Sequence, residues 1–124
     1  IEGMPKVLVV DDSPAERFKC KELLESLGYE VVEAENGRDG VAMANQELPD
    51  VVLMDIVMPG MNGFQATRQI CRGEKTSHIP VIIVSGKDQE TDKVWGRRQG
   101  AQGYLIKPVD KQKLSAALRS LLLS

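Results

Sequence analysis

Short apolar runs alternate with longer segments of helical character along the chain, and the alternation occurs five times. This succession predicts one doubly wound α/β domain, because parallel strands need crossover helices that cover both faces of the sheet. Val51–Met54 and Pro80–Val84 are apolar throughout, which is typical of strands buried on both faces of a parallel sheet. The predicted strands are Lys6–Val10, Tyr29–Ala34, Val51–Met54, Pro80–Val84 and Tyr104–Ile106.

Capping and turn residues mark the boundaries of the first two helices. Ser13 is suited to cap the first helix and Pro14 to occupy its first position, while Gly28 suits the left-handed turn after its end. Asn36-Gly37 predicts a turn before a second helix over about Arg38–Glu47.

The second half of the chain repeats the pattern. A loop containing Pro59, Gly60 and Gly63 is predicted before a third helix that ends at about Arg72. A polar fourth helix separates the fourth and fifth strands. The last helix has a one-sided apolar stripe made of Leu114, Ala117, Leu118, Leu121 and Leu122.

Length and charge limit the function classes. The chain has 124 residues, of which Ile1–Gly3 are interpreted as a cloning remnant and Met4–Ser124 as a single domain. The net charge of −2 and the scattered Lys and Arg residues give no sign of a nucleic-acid partner. No apolar run approaches the ~18 residues of a membrane span, so a cytoplasmic protein is expected. Cys20 and Cys71 lack metal or redox spacing and are expected to be reduced.

Polar side chains follow four of the five predicted strands. Asp11 and Asp12 follow the first strand, Asp55 the third, Ser85 the fourth and Lys107 the fifth. The carboxyl ends of parallel strands meet at one edge of the sheet, which is where ligands bind in this architecture. We therefore expect these five side chains to converge.

Three converging carboxylates repel one another, and a bound cation would remove the conflict. The predicted ligands are hard oxygens without Cys or His, which favours Mg²⁺. Lys107 adds a second positive charge and Ser85 a hydrogen-bond donor, both of which suit phosphoryl oxygens. Such a site indicates that a carboxylate acts as nucleophile and becomes an aspartyl phosphate.

Two other function classes remain as alternatives. A Mg²⁺-dependent phosphohydrolase also uses an Asp nucleophile on a similar sheet, but it would need a second Asp where Val57 lies, two residues after Asp55. A nucleotide- or flavin-binding protein would need a glycine-rich phosphate loop, and the sequence has neither Gly-x4-Gly-Lys-Ser/Thr nor Gly-x-Gly-x-x-Gly after the first strand.

The strand-end motifs, taken together, resemble the receiver domains of two-component response regulators. The resemblance covers Lys6–Leu122 and implies a flavodoxin-like sheet of order 2-1-3-4-5, the order also known from CheY. The motifs are Val9-Val10-Asp11-Asp12-Ser13, Leu53-Met54-Asp55-Ile56-Val57-Met58-Pro59, Gly63, Val84-Ser85-Gly86 and Tyr104-Leu105-Ile106-Lys107-Pro108.

The resemblance implies a role for each acid. Asp55 would be the phospho-acceptor, and Asp12, Asp55 and the backbone carbonyl of Val57 would bind Mg²⁺ directly. Asp11 would act mostly through a metal-bound water.

The remaining motif residues are implied to sense the phosphoryl group. Ser85 would contact it and Lys107 would pair with it, while the rotamer of Tyr104 would follow the switch. The Lys107–Pro108 peptide bond would be cis.

A narrower resemblance, at surface positions, links the chain to single-domain regulators of type IV pilus and twitching motility (PilG/PilH type). It rests on Asn36-Gly37, on Gly63-Phe64-Gln65-Ala66-Thr67-Arg68 and on Lys87–Trp95. This resemblance implies a CheA-like sensor histidine kinase as phosphodonor. It also implies an output protein that binds the face formed by the fourth helix, fifth strand and fifth helix.

Other chemically distinctive residues have simpler interpretations. His78 is expected at the surface, and Met43, Met54, Met58 and Met61 are expected to fill gaps in the core. Val94 and Trp95 are the only large apolar residues of the fourth helix, which predicts weak docking and mobility. Trp95 either packs on the neighbouring strand or contacts a partner.

Overall fold

The computed structural model describes residues 3–123. Ile1 and Glu2, two residues of the interpreted cloning remnant, and Ser124 lie outside this range. The described part contains ten elements in strict alternation: β1 (Lys6–Val10), α1 (Pro14–Ser26), β2 (Glu30–Ala34), α2 (Gly37–Glu47), β3 (Val51–Met54), α3 (Gly63–Arg72), β4 (Val81–Ser85), α4 (Glu90–Gln99), β5 (Gly103–Ile106) and α5 (Lys111–Leu122).

All five strands form one parallel sheet of order β2-β1-β3-β4-β5, which confirms the expected topology. Val7 of β1 lies beside Val31 of β2 on one side and beside Val51 of β3 on the other. The order changes direction between β1 and β3. The loops after these two strands therefore flank the crevice in which ligands bind in open α/β sheets.

Two buried clusters fill the faces of the sheet, because successive strand residues point to opposite sides. On one face Leu8, Val10 and Met54 pack with Ala44 of α2 and Ile70 of α3. On the other face the strands pack against α1 and α5, with Val7, Val9, Val51, Leu53, Leu24, Leu114 and Leu118 at the centre. The predicted stripe of the last helix supplies this second cluster, since Ala117, Leu121 and Leu122 also pack against it.

The boundary of the first helix agrees with the sequence. The Ser13 side chain accepts a hydrogen bond from the Glu16 amide at 3.2 Å, and Pro14 is the first helical residue. Gly28 has φ of 93°, the left-handed conformation expected after the helix.

Two predicted helix starts differ from the structure by one residue. Asn36-Gly37 does not form a separate turn, because the Asn36 side chain caps α2 through the Asp39 amide at 2.7 Å and Gly37 starts the helix. Gly63 belongs to α3 rather than to the preceding loop, and Asn62 is the capping residue. In both places an Asn side chain that suits a turn also satisfies a free amide at a helix start.

The strand boundaries shift slightly as well. Tyr29 and Pro80 precede β2 and β4, whereas Ser85 and Gly103 are included in β4 and β5. Pro80 has no amide hydrogen, so its contribution to the sheet is its carbonyl, which accepts from the Val52 amide at 3.0 Å.

Helix α4 packs through a glycine rather than through a large apolar side chain. Gly96 is the one buried residue of this helix, which lies wholly within the described range. A Cβ at this position would meet the Ile83 side chain at 2.8 Å and Tyr104 at 3.6 Å. Trp95 is 48% exposed, so of its two interpretations the structure favours the one in which it does not pack on the sheet.

The other sequence expectations for single residues agree with the structure. His78 is exposed. Met54 and Met58 are buried, and Met43 and Met61 pack against the same cluster. Both cysteines are free, and burial raises the pKa of Cys20 to about 12 and also raises that of Cys71. Within residues 3–123, no helix has the length and apolar character needed to cross a membrane.

Candidate functional site

Three acids converge at the carboxyl edge of the sheet. Asp11 and Asp12 follow β1, and Asp55 follows the adjacent strand β3. One carboxylate oxygen from each residue lies within 4.8 Å of the corresponding oxygens of the other two. The convergence expected of these three acids is therefore present.

The three acids differ in their exposure. Asp11 and Asp55 are buried, whereas Asp12 is exposed. The Asp11 carboxylate accepts from the Ser13 amide at 2.9 Å, and the Asp55 carboxylate accepts from the Ile56 amide at 2.9 Å. Local main-chain hydrogen bonds thus orient the two buried carboxylates, and Asp12 is left at the solvent side.

Lys107 places its ammonium group among the acids. Its Nζ donates to Asp11 Oδ2 at 2.8 Å and lies 3.8 Å from Asp55 Oδ1. Burial alone would lower the pKa of Lys107, but the hydrogen bond to Asp11 and the charge of Asp55 outweigh it and raise the pKa. The lysine therefore carries its positive charge at neutral pH and offsets part of the negative charge of the site.

The pKa of Asp55 is higher than is usual for a carboxyl group. Burial, followed by the neighbouring charge of Asp11, raises its pKa to about 6, although Lys107 and the Ile56 amide act in the opposite direction. A positive charge added beside Asp55 would lower this pKa.

Ser85 and Tyr104 lie on the β4–β5 side of the site. Ser85 is 1% exposed, and its hydroxyl accepts from the Lys87 amide at 3.2 Å. The Tyr104 hydroxyl donates to the Lys87 carbonyl at 2.7 Å, and its ring packs with Phe64 and Ile83. Burial raises the pKa of Tyr104. Both side chains thus contact the main chain of Lys87, in the loop that leads into α4.

Val57 and the cis peptide complete the set of expected features. Val57 lies two residues after Asp55 with its side chain 62% exposed, so any role in the site falls to its main chain. The Lys107–Pro108 bond is cis, as the resemblance implied. Trp95 lies on α4 with nearly half of its side chain exposed.

Three further residues contact the site, and of these only Gly63 belonged to a sequence motif. The Arg17 guanidinium donates to the Asp11 carbonyl at 2.7 Å, and its Nε lies 3.4 Å from Glu33. Glu16 lies 3.7 Å from Lys107 Nζ. Gly63 packs against the main chain of Asp55. In the sequence, Glu16 and Arg17 are indistinguishable from the other charged residues of α1.

A cavity of about 340 Å³ opens beside the acids, between α1 and α5. Its walls are mostly apolar and include Leu23, Leu53 and Val84, while Asp11 and Lys107 lie at its rim. Asp55 also lines this cavity.

The donor set fits Mg²⁺. Three carboxylates supply only hard oxygen ligands, and their mutual distances allow a single ion to contact them. The exposed Asp12 leaves room for the waters that Mg²⁺ retains in proteins. No zinc-type ligand, thiolate or imidazole, belongs to this group of residues.

Comparison with known proteins agrees with this geometry. The family model of the response regulator receiver domain matches residues 7–119. The chain belongs to the response regulator receiver family. Its fold, its strand order and its convergent acids are those expected from the sequence resemblance.

Similar proteins include a single-domain relative and solved receivers. The chain is 62% identical to Protein PilH of Pseudomonas aeruginosa over 119 residues, which cover 96% of this chain and 98% of PilH. The chemotaxis protein CheY4 of Vibrio cholerae superposes with a TM-score of 0.91 at 32% identity, covering 97% of this chain and all (100%) of that one.

A third structure bears on the metal. The receiver domain of a Pseudomonas aeruginosa sensor histidine kinase, with a magnesium ion coordinated in its active-site cleft, has a TM-score of 0.91 and 29% identity, with coverage of 98% and 100%. The narrower resemblance to PilH-type regulators is confirmed, and these comparisons lend no support to the phosphohydrolase alternative.

Proposed function

We propose that this protein is a stand-alone response regulator in which Asp55 accepts a phosphoryl group. The observation that carries the proposal is the convergence of Asp11, Asp12 and Asp55 within 4.8 Å beside the ammonium of Lys107. Asp55 follows β3, the middle strand of the sheet, and its carboxylate lies 3.8 Å from Lys107 Nζ.

The chemistry is a phosphoryl transfer between two carriers. An oxygen of the ionised Asp55 carboxylate attacks the phosphorus of the donor, and a P–O bond to Asp55 forms as the bond to the leaving group breaks. With an acyl phosphate the leaving group is a carboxylate, and with a phosphohistidine it is an imidazole that takes up a proton. Lys107 pairs with the transferred group, and the hydroxyl of Ser85 donates a hydrogen bond to it.

Asp12, Asp55 and the Val57 carbonyl are the proposed direct ligands of Mg²⁺, with Asp11 acting mostly through a bound water. When bound, the ion supplies positive charge that offsets the charge on the phosphoryl oxygens. The contacts of Asp11 support its indirect role, because its two carboxylate oxygens already accept from the Ser13 amide and from Lys107 Nζ.

The proposed partners follow from the family and from the PilH resemblance. A CheA-like sensor histidine kinase would be the phosphodonor, and an output protein in chemotaxis-like or pilus-motility signalling would read the state of Asp55. The face formed by α4, β5 and α5 is the proposed output surface. Two hydrogen bonds of Lys87 support this surface: its amide donates to the Ser85 hydroxyl, and its carbonyl accepts from the Tyr104 hydroxyl. A movement of Ser85 would therefore be passed through Lys87 to Tyr104 and to the loop before α4.

The protein is proposed to act by contact rather than by metabolic turnover. Phosphorylation and dephosphorylation of Asp55 would be its only self-catalysed reactions. Met4–Ser124 would form the receiver domain, and the location would be cytoplasmic, where histidine kinases present their phosphoryl groups.

The test is intact-mass analysis after incubation with Mg²⁺ and acetyl phosphate. Wild type should gain one phosphoryl group, and Asp55→Asn should gain none. Asp50→Asn is the matched control, because Asp50 lies before the other end of β3 and should leave the adduct unchanged. An adduct of the same yield in Asp55→Asn would disprove the assignment.

A further inference from the structure

Lys107 is shared by three carboxylates, one of which lies outside the acid group. Its Nζ lies 2.8 Å from Asp11, 3.8 Å from Asp55 and 3.7 Å from Glu16. Glu16 therefore competes with Asp55 for the same ammonium group, at nearly the same distance.

The start of α1 holds Glu16 in this position. Ser13 caps the helix through the Glu16 amide, so the residue lies in the first turn, beside the loop that carries Asp11 and Asp12. The second carboxylate oxygen of Glu16 lies 3.7 Å from Lys19, whose side chain is 72% exposed. This exposed lysine compensates the charge of Glu16 only weakly, since exposed ion pairs are screened by water.

We propose that Glu16 is a positioning residue that restrains phosphorylation by holding Lys107 away from Asp55 and by adding negative charge beside it. The inference rests on the proposed role of Asp55 as phospho-acceptor. In the unphosphorylated protein, Glu16 would repel the incoming phosphoryl anion, in addition to the repulsion from the three acids of the proposed metal site.

Electrostatics gives the direction of the effect. Because Glu16 and Asp55 both lie within 3.8 Å of the same nitrogen, their nearest oxygens are no more than about 8 Å apart, which is within a Debye length at physiological ionic strength. A phosphoryl group on Asp55 carries more negative charge than the carboxylate it replaces. Glu16 therefore disfavours the phosphorylated state and favours the binding of a cation.

The decisive variant is Glu16→Gln, which removes the charge and keeps the size of the side chain. At saturating Mg²⁺ and low salt, the rate of Asp55 phosphorylation by acetyl phosphate should rise roughly three- to tenfold. Mg²⁺ affinity, measured by calorimetry, should fall by a similar or smaller factor. The rate difference should shrink below about twofold in 0.5 M salt, where the Debye length is about 4 Å.

Two control variants separate charge from structure. Glu25→Gln makes the same change on an exposed position of α1, two to three turns away, and should match wild type in both measurements. Glu16→Asp keeps the charge and should behave more like wild type than like Glu16→Gln. If the role of Glu16 were purely structural, Glu16→Gln would lower both the phosphorylation rate and the Mg²⁺ affinity. The proposed charge effect instead raises the rate and lowers the affinity.

The outcomes are distinct. A faster phosphorylation with weaker Mg²⁺ binding in Glu16→Gln supports the inference. An unchanged or slower rate in this variant, with a normal wild-type adduct, overturns it and leaves the role of Asp55 intact. Failure of wild type itself to form an adduct overturns both the inference and the proposed function.

Discussion

Gly63, the first residue of α3, packs directly against the main chain of Asp55. A Cβ at position 63 would overlap the Asp55 carbonyl oxygen and would lie 2.8 Å from the Ile56 Cα. The Gly63 amide also donates to the Ile56 carbonyl at 2.9 Å. The start of α3 therefore fixes the main chain that carries the candidate phospho-acceptor.

Gly63→Ala should disturb both stability and the site. The added methyl group meets backbone atoms that cannot rotate away, so we expect a loss of about 2–3 kcal/mol in the free energy of unfolding, together with slower phosphorylation of Asp55. Urea denaturation and the acetyl phosphate assay measure the two effects. Gly86→Ala is the control, because no atom lies within 4 Å of a Cβ there. Equal stability of the two variants would contradict the close packing.

Lys107→Ala should leave Mg²⁺ binding intact or strengthen it. The ammonium pairs with Asp11 and Asp55, so it competes with a cation for the same oxygens. Calorimetric titration should give an affinity at or above that of wild type, while Asp12→Ala should lose about tenfold. In Lys107→Ala the phosphoryl group should still be accepted but should no longer be read by an output partner. Loss of metal affinity in Lys107→Ala, with Asp12→Ala unaffected, would reverse these roles.

Asp55→Asn should stabilise the metal-free protein in a pH-dependent manner. The folded-state pKa of Asp55 is raised to about 6, whereas an unfolded Asp titrates near 3.9. Folding therefore carries a penalty that grows as pH rises from about 4 to 6 and is fully present above that range.

The measurement is urea denaturation in EDTA at several pH values. The variant should be more stable than wild type by about 1–3 kcal/mol at pH 8 and nearly equal to it at pH 4. Asp12→Ala should show a smaller gain, because Asp12 is exposed. A stability gain for Asp55→Asn that does not change between pH 4 and pH 8 would rule out the buried charge as its cause.

Trp95→Ala should weaken output binding without unfolding the domain. The indole is 48% exposed, and α4 packs on the sheet through Gly96 instead. Phosphorylation and melting temperature should stay near wild type, and binding of the phosphorylated protein to its output partner should weaken by about 2 kcal/mol if Trp95 is a hot spot. Phe18→Ala is the control, because it removes an exposed aromatic side chain from α1, outside the proposed output surface. A marked fall in melting temperature would place Trp95 in the core.

The sheet and its chemically important edge could be predicted from the sequence because their signals are local. An apolar run as short as Val51–Met54, lying between acids and alternating with helical segments, indicates a buried strand. The residue that follows such a strand lies at the carboxyl edge of the sheet. Asp11, Asp55 and Lys107 were assigned to one site on this basis. In the structure the carboxylates of Asp11 and Asp55 both lie within 4 Å of Lys107 Nζ.

The tertiary structure alone decided how the helices meet that edge. Whether Glu16 reaches Lys107, whether Gly63 overlies Asp55 and how α4 packs through Gly96 depend on the position and depth of each helix on the sheet. The position and depth of a helix are set by packing between residues far apart in the sequence, so they cannot be predicted from a short segment. The strand order β2-β1-β3-β4-β5 came from the family resemblance, since alternation predicts a parallel sheet but leaves the order of its strands open.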